Sequence, residues 1–394
     1  MPKIAKITGG AGTQKTSHLI SQIKSDCESK YFEKSIAAIS LTRAAVKTIK
    51  DRLGFDQDKK NGVKVATIHS LAFSINPTSK AVVTDKNYKD FGDQNPEYRM
   101  ELDENQNGLL AQANKFRNQL RPLTAWPADA RGFFKTWQAY MNENNLVDYT
   151  GMLENALEAN SNPGLNVIYI DEAQDQTALA TKLIHKWGAN ADKLVFYGDD
   201  DQSLYRFSGA VPEAFINLEC DYQNNRPQSY RCPKNILNYA MSVIRKCKTR
   251  IAKEYAPITP ELLDKQNAWR ESKGLPAFDY IDGVIHKTMD TPDLSIEGSH
   301  MILVRANYHL DRWKEWLASN HIPYHNPYRV NKGRSGNDEL DKSLNPCDTK
   351  IWKAMTTYKD ILSGKDVLLH NMQTLVDCAK ASEIFDKRGA KANF

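Results

Sequence analysis

The sequence predicts a doubly wound α/β fold, with a parallel sheet at its centre and helices on both faces. Three observations carry this reading. Five short apolar runs, at residues 4–7, 36–41, 63–67, 167–170 and 194–197, have the length and continuity of strands buried on both faces. Helical patterns lie between several of them, the rhythm of strand–helix–strand units. A glycine-rich stretch, Gly9-Gly-Ala-Gly-Thr-Gln-Lys-Thr16, stands between the first run and a segment at 17–23 whose Leu19, Ile20 and Ile23 share one helical face.

That glycine stretch is one residue away from the phosphate-binding pattern G-x-x-x-x-G-K-[ST], with Gln14 in the place of the last glycine. A triphosphate is held by converging backbone N–H groups at the start of a helix. Gly9, Gly10 and Gly12 let the chain turn and approach the phosphates without a Cβ, with Ala11 and Thr13 between them. Lys15 would reach the β- and γ-phosphates, and the Thr16 hydroxyl would ligate Mg²⁺. The Gln14 side chain could crowd the phosphates, yet its N–H remains available. Taken alone, the stretch is also compatible with an ordinary glycine turn.

Residues 76–146 interrupt the strand–helix rhythm. They read as an inserted helical subdomain, whose Trp126, Phe133, Phe134, Trp137 and Tyr140 are expected to form its core rather than stack on bases. A second α/β unit is expected from residue 219, with a helix near 233–247, a strand at 301–304 and a helix near 310–319. Beyond 331 the chain turns polar and then helical, with a loop at Gly333-Arg-Ser-Gly-Asn337.

The composition is that of a globular chain: 394 residues, 41% hydrophobic and 26% charged, which suits two or three domains. A net charge of +5 suits a polyanion-binding surface without demanding one. The six cysteines form no C-x-x-C pair and are expected to stay reduced. No apolar run approaches the ~18 residues of a membrane span. A soluble, cytoplasmic protein is expected, with a phage origin left open.

Two acidic stretches follow the last two strands. Asp171-Glu-Ala-Gln-Asp175 places Asp171 at a strand's carboxyl end, where ligands bind in such sheets and a carboxylate can hold hydrated Mg²⁺. Glu172 can accept a proton from an attacking water. Gly198-Asp-Asp-Asp-Gln-Ser-Leu-Tyr-Arg-Phe-Ser-Gly-Ala210 joins three carboxylates to Gln202 and the aromatic pair Tyr205 and Phe207. Each acidic stretch is also compatible with a solvated turn or loop.

Together these two stretches resemble the second and third motifs of UvrD/Rep-type superfamily 1 DNA helicases. Other pieces then follow in the family's order: Ile36-Ala-Ala-Ile-Ser-Leu-Thr-Arg-Ala-Ala-Val46, Ala66-Thr-Ile-His-Ser-Leu-Ala-Phe73, Asp148-Tyr149 with Met152-Leu153, Ser229-Tyr-Arg-Cys-Pro233, Met301-Ile-Leu-Val-Arg-Ala-Asn307 and Ile322-Pro-Tyr324. The resemblance implies a RecA-like P-loop NTPase sheet. It further implies a first motor domain from 1–75 plus 147–218, a helical insertion at 76–146, part of a second RecA-like domain at 219–330, and the start of a helical insertion at 331–394. ATP and Mg²⁺ are the implied cofactors. Lys15 and Thr16 would bind phosphate and metal, Asp171 would position the metal, and Glu172 would activate water. Gln202 would sense the γ-phosphate, Tyr230 would stack on the base, and Arg231 would reach the γ-phosphate. Single-stranded DNA, or a junction between single strand and duplex, is the implied partner. Tyr205 and Phe207 would stack on bases, with Phe207 in the usual place of tryptophan and Leu41 where phenylalanine is common. Thr42, Thr67 and His69 are candidates for phosphate contacts, and a buried structural hydrogen bond is an equal reading for His69.

The resemblance also carries departures. The family's adenine-reading glutamine segment lies upstream of the first strand and has no counterpart, so loose selectivity among purine triphosphates is expected. Its late motifs find no match, so a truncated chain is expected that hydrolyses ATP poorly and does not unwind duplex processively. A motor moving 3′→5′ on single strands is the leading reading, and a nucleotide-gated single-strand binder is the alternative. A P-loop kinase or transporter ATPase would leave residues 198–210 and 229–233 unexplained.

Overall fold

The computed structural model describes residues 1–28, 35–54, 63–98, 108–159, 161, 163–275, 277–278, 282–283, 285, 301–304 and 308–319. The expectations placed at 305–307 and 320–394, Ile322-Pro-Tyr324 and the terminal helical insertion among them, lie outside those residues.

The elements run in the order β1 (Lys3–Gly9), α1 (Lys15–Glu28), β2 (Ser35–Ser40), α2 (Arg43–Leu53), β3 (Val63–Thr67), α3 (Ile68–Ile75), β4 (Ala81–Val82), α4 (Asp85–Gln94), α5 (Leu109–Asn118), α6 (Ala128–Glu143), β5 (Leu146–Val147) and α7 (Tyr149–Glu158). They continue with β6 (Leu165–Ile170), α8 (Ala178–Trp187), β7 (Lys193–Gly198), α9 (Pro212–Ile216), β8 (Tyr222–Arg226), α10 (Lys234–Ile244), α11 (Pro260–Glu271) and α12 (Tyr308–Ser319). The central sheet has the order β3-β2-β6-β7-β1-β8, and every neighbouring pair is parallel.

Alternation along the strands explains why both faces are covered. Ala37, Ile39, Ile168, Ile170, Leu194 and Phe196 join a core with α3, α7 and α8, in which Leu71, Leu153, Leu183 and Trp187 are buried. Ile36, Ala38, Val167, Tyr169, Val195 and Tyr197 face the other way, onto Leu19 and Ile23 of α1 and Ile49 of α2. Successive side chains of a strand point to opposite faces, so strands that are apolar at every position need a layer on each side. The doubly wound expectation is met, with all five anticipated strands in the sheet.

A third core lies outside the sheet. Phe91, Trp126, Phe133, Phe134, Trp137, Tyr140 and Met141 pack together from α4, α6 and the turn before α6. Phe91 meets Trp137 edge to face at 5.0 Å, a preferred aromatic geometry. These aromatics are core, as expected. A buried ion pair stands beside them: Arg117 on α5 bonds Asp148 at 2.6 Å and Glu154 on α7 at 2.6 Å. Asp148 also caps α7, accepting from the Gly151 N–H at 2.6 Å.

Two features differ from the sequence reading. Tyr222–Arg226 forms a sixth strand beside β1, although its side chains carry no apolar run. Residues 301–304, expected as a strand, have no regular structure; Met301 and Leu303 are open to solvent and no strand pairs with them among the described residues. These four residues and α12 belong to a second compact unit of the chain, in which Trp313 and Trp316 stack edge to face within α12. Among the described residues no helix is long and apolar enough to cross a membrane.

Candidate functional site

The carboxyl ends of β1, β6, β7 and β8 lie side by side, and the chain leaving each of them carries the polar groups singled out in the sequence. This is where open parallel sheets bind ligands, because the loops there diverge and leave a crevice.

The loop from β1 to α1 is tightly drawn. The Thr13 hydroxyl donates to the Gly10 carbonyl at 2.9 Å, and the His18 N–H donates to the Gln14 carbonyl at 2.9 Å to start the helix. Gly12 has φ +73, and a Cβ there would stand 2.5 Å from the Arg231 Cβ. Gln14 has φ +60, a left-handed conformation that favours glycine. The substituted position is therefore one where the pattern's glycine has a backbone reason. The Gln14 side chain is exposed.

Lys15 donates to the carbonyls of Gly9 at 2.8 Å and Gly10 at 3.2 Å. Burial pulls its pKa down, and the carboxylates of Asp199, Glu172 and Asp171 only partly oppose this. Asp171 follows β6 and is buried at 3% exposure, its N–H given to the Ile39 carbonyl at 2.8 Å. Burial and then the neighbouring Glu172 raise its pKa to about 6, against the opposing pull of Lys15 and the Thr16 hydroxyl that hydrogen-bonds to it. Its Oδ1 has no hydrogen-bond partner among the described residues. A buried carboxylate oxygen without a donor, next to a threonine hydroxyl and a lysine, has the donor chemistry of a hydrated Mg²⁺ site.

Glu172 adopts φ +51, and its Oε2 accepts from Gln174 Nε2 at 2.9 Å. The sequence reading did not single out Gln174, although it lies inside the acidic motif. Its buried amide also donates to Asp175 at 3.0 Å and accepts from the Asp199 N–H at 3.0 Å, so it ties the two acidic stretches together. Gln202 donates to Asp199 Oδ2 at 2.5 Å.

The segment after β8 lies directly on the glycine loop. The Tyr230 N–H donates to the Gly12 carbonyl at 2.9 Å, and the Ser229 hydroxyl to that of Ala11 at 2.8 Å. Arg226 Nε reaches the Thr13 carbonyl at 3.0 Å. Tyr230 and Arg231 are thus brought to the same loop as Lys15 and Thr16. Ser229 opens the quoted motif without being assigned a role there, and Arg226 carries no local signal in the sequence.

The predicted nucleic-acid residues fall into two groups. Tyr205 and Phe207 are exposed, Phe207 at 73%, with ring centroids 6.0 Å apart. With Leu204, also exposed, they place three large apolar side chains close together on this loop. Thr42 and Thr67 act as helix N-caps, accepting from the N–H groups of Ala45 at 3.1 Å and Ser70 at 3.3 Å. Leu41 is half-buried at the end of β2. The His69 ring meets Tyr149 edge to face at 5.7 Å, and burial lowers its pKa.

A glycine loop between a parallel strand and a helix, with a buried aspartate after the strand two places along the sheet, defines the P-loop nucleotide-binding class. The chain belongs to the AAA-domain family, whose model matches residues 1–208. Among curated proteins it is similar to the ATP-dependent DNA helicase Rep of Buchnera aphidicola subsp. Baizongia pistaciae, 24% identical across 81% of this chain and 52% of that protein. It is also similar to the ATP-dependent DNA helicase PcrA of Leuconostoc citreum, 26% identical across 63% and 38%. The Gabija protein GajB of Bacillus cereus is 25% identical across 76% and 56%. The chain spans about half the length of the Rep protein it matches.

Proposed function

We propose that this chain binds ATP and Mg²⁺ and couples ATP hydrolysis to 3′→5′ movement on single-stranded DNA. The observation that carries the reading is the buried Asp171, whose Oδ1 has no donor among the described residues, set beside Thr16 and Lys15 at the strand ends. Similarity to Rep and PcrA, both named as ATP-dependent DNA helicases, supports it.

Thr16 and Asp171 would hold Mg²⁺, which when bound neutralises charge on the β- and γ-phosphates. Lys15 leaves the loop carbonyls for the phosphate oxygens, a better partner for an ammonium group than two neutral carbonyls. Glu172 takes the proton from the water whose oxygen attacks the γ-phosphorus, and ADP departs with the bridging oxygen. Gln202 reads the γ-phosphate from Asp199, and Arg231 supplies a fork of donors to the same group. Tyr230 offers its ring to the base.

Single-stranded DNA stacks on Tyr205 and Phe207, a contact tolerant of sequence because every base has a π-face. Leu41, Thr42, Thr67 and His69 line the same path. Residues 1–75 with 147–218 are assigned to the first motor domain, 76–146 to its helical insertion, 219–330 to part of the second, and 331–394 to the start of its insertion.

The alternative is a nucleotide-gated single-strand binder without turnover. Glu172→Gln separates the two when ATP turnover and nucleotide binding are both measured. A motor loses turnover in the variant and keeps nucleotide binding. Turnover equal in both proteins, or absent from both, contradicts the motor.

A further inference from the structure

Asp199, Asp200 and Asp201 place three carboxylates within 4.8 Å of one another. Three adjacent negative charges this close repel strongly unless a cation joins them. The cation is Lys253. Its amine lies 2.5 Å from Asp199 and 3.2 Å from Asp201, bonds Asp200 as well, and its side chain is at 0% exposure. Burial opposes its charge, but Asp199 and Asp200 outweigh burial and raise its pKa. No local pattern in the sequence marks this lysine, which lies 54 residues from Asp199 along the chain.

The chain around Lys253 is fastened to the same three residues. Arg250 forks onto Asp201 at 2.9 and 2.6 Å, the Ile251 N–H reaches Asp200 at 2.8 Å, and the Tyr255 hydroxyl bonds Asp201. The Tyr255 ring lies over Gly10, where a Cβ would come within 2.2 Å of it. The Ser229 N–H donates to the Ala256 carbonyl at 2.8 Å, which joins this segment to the one carrying Tyr230 and Arg231.

Asp199 is the centre of the arrangement. One carboxylate oxygen takes Lys253 and the other takes Gln202 at 2.5 Å. Its N–H is held by Gln174, whose amide also holds Glu172 at 2.9 Å. A carboxylate with a fixed ammonium on one oxygen has little freedom to rotate, so the other oxygen presents one direction to Gln202. We infer that Lys253 is a positioning residue for the nucleotide site: through Asp199 it sets the direction of the Gln202 amide and so the discrimination between nucleoside triphosphate and diphosphate. This rests on the nucleotide-binding reading above and adds to it a residue that never touches the nucleotide.

The test is equilibrium binding of ADP and of ATPγS, each with Mg²⁺, to the wild-type chain, Lys253→Met, Gln202→Ala and the double variant of both. In Lys253→Met the preference for ATPγS over ADP should fall about tenfold, the worth of one charge-assisted contact, while ADP affinity holds. The double variant should lose no more than either single one, because both act through one group. Removing a buried amine leaves Asp199 and Asp200 uncompensated while Asp201 keeps Arg250, so Lys253→Met with Asp200→Asn serves as a second form that lowers the uncompensated charge; it should lose the same preference. An unchanged ratio, or losses in the Lys253 and Gln202 variants that simply multiply, overturns the positioning role. Equal weakening of both nucleotides also overturns it, since that is the mark of a purely structural lysine. A wild-type chain that binds neither nucleotide contradicts the nucleotide-binding reading itself and takes this inference with it.

Discussion

The amine of Lys15 donates to the carbonyl of Gly9 at 2.8 Å, so the glycine loop holds its own lysine at the place where phosphate oxygens are expected. The loop is preshaped rather than open, and a nucleotide has to draw the lysine away from two carbonyls. That competition involves one residue the pattern lacks, because Gln14 precedes Lys15 in a left-handed conformation.

Replacing Gln14 with glycine should relieve that backbone cost, about 1 kcal/mol for an unbranched side chain at positive φ. The expected result is a slightly higher melting temperature and nucleotide affinity that is tighter or unchanged. Thermal melts and a nucleotide titration measure both. A clear loss of affinity would mean that the glutamine side chain contributes to the site.

Asp171 gives a pH signature with a defined sign. In the folded chain its carboxyl keeps its proton up to about pH 6, against 3.8 when unconstrained. Between those values the folded state binds more protons, so this group's contribution to stability falls as pH rises through the window. By neutral pH the cost amounts to roughly 3 kcal/mol at most. Asp171→Asn should therefore melt higher than wild type at pH 7.5 without metal, and nearly alike at pH 4, while losing Mg²⁺-dependent nucleotide binding. A variant that melts lower at both pH values contradicts the burial argument.

Arg117 tests how the third core is tied to the sheet. It bonds Asp148 and Glu154, touches Asn114 at 3.0 Å, and lies 5.0 Å from the centre of the Phe134 ring. Arg117→Met removes the only partner charge that the structure gives the buried Asp148 carboxylate among the described residues. A loss of about 3–5 kcal/mol in denaturant unfolding is expected, and a change below about 1 kcal/mol would show that the pair is dispensable.

Phe207 carries the nucleic-acid prediction. Its ring is among the most exposed aromatic surfaces described. Phe207→Ala should weaken binding of a single-stranded oligonucleotide by about 1–3 kcal/mol and leave stability and nucleotide affinity unchanged. Fluorescence anisotropy with oligo-dT reads the effect, and unaltered affinity would remove this ring from the strand's path.

Much of the fold was legible because it is written in burial. Strands β2, β6 and β7 bury apolar side chains on both faces, and β1 and β3 do so around Lys6 and the exposed Lys64; short apolar runs between helices have few other meanings. β8 was not legible, since Tyr222-Gln-Asn-Asn-Arg226 is an edge strand held by backbone pairing to β1 and its side chains report nothing about that pairing. Residues 301–304 misled in the opposite way: their apolar side chains suggested a strand, and Met301 and Leu303 are exposed. At the site, Lys15, Thr16, Asp171 and Glu172 were legible from spacing. Gln174 and Lys253 were not, because their importance lies in contacts to Asp199, made by Lys253 across 54 residues of chain.

The central claim is that the site at the strand ends hydrolyses ATP in response to DNA. Steady-state phosphate release by the wild-type chain, with and without a single-stranded oligonucleotide, tests it most directly. The account predicts Mg²⁺-dependent turnover that rises when the oligonucleotide is added and is lost in Glu172→Gln. Turnover indifferent to the oligonucleotide, or equal in wild type and Glu172→Gln, would contradict it.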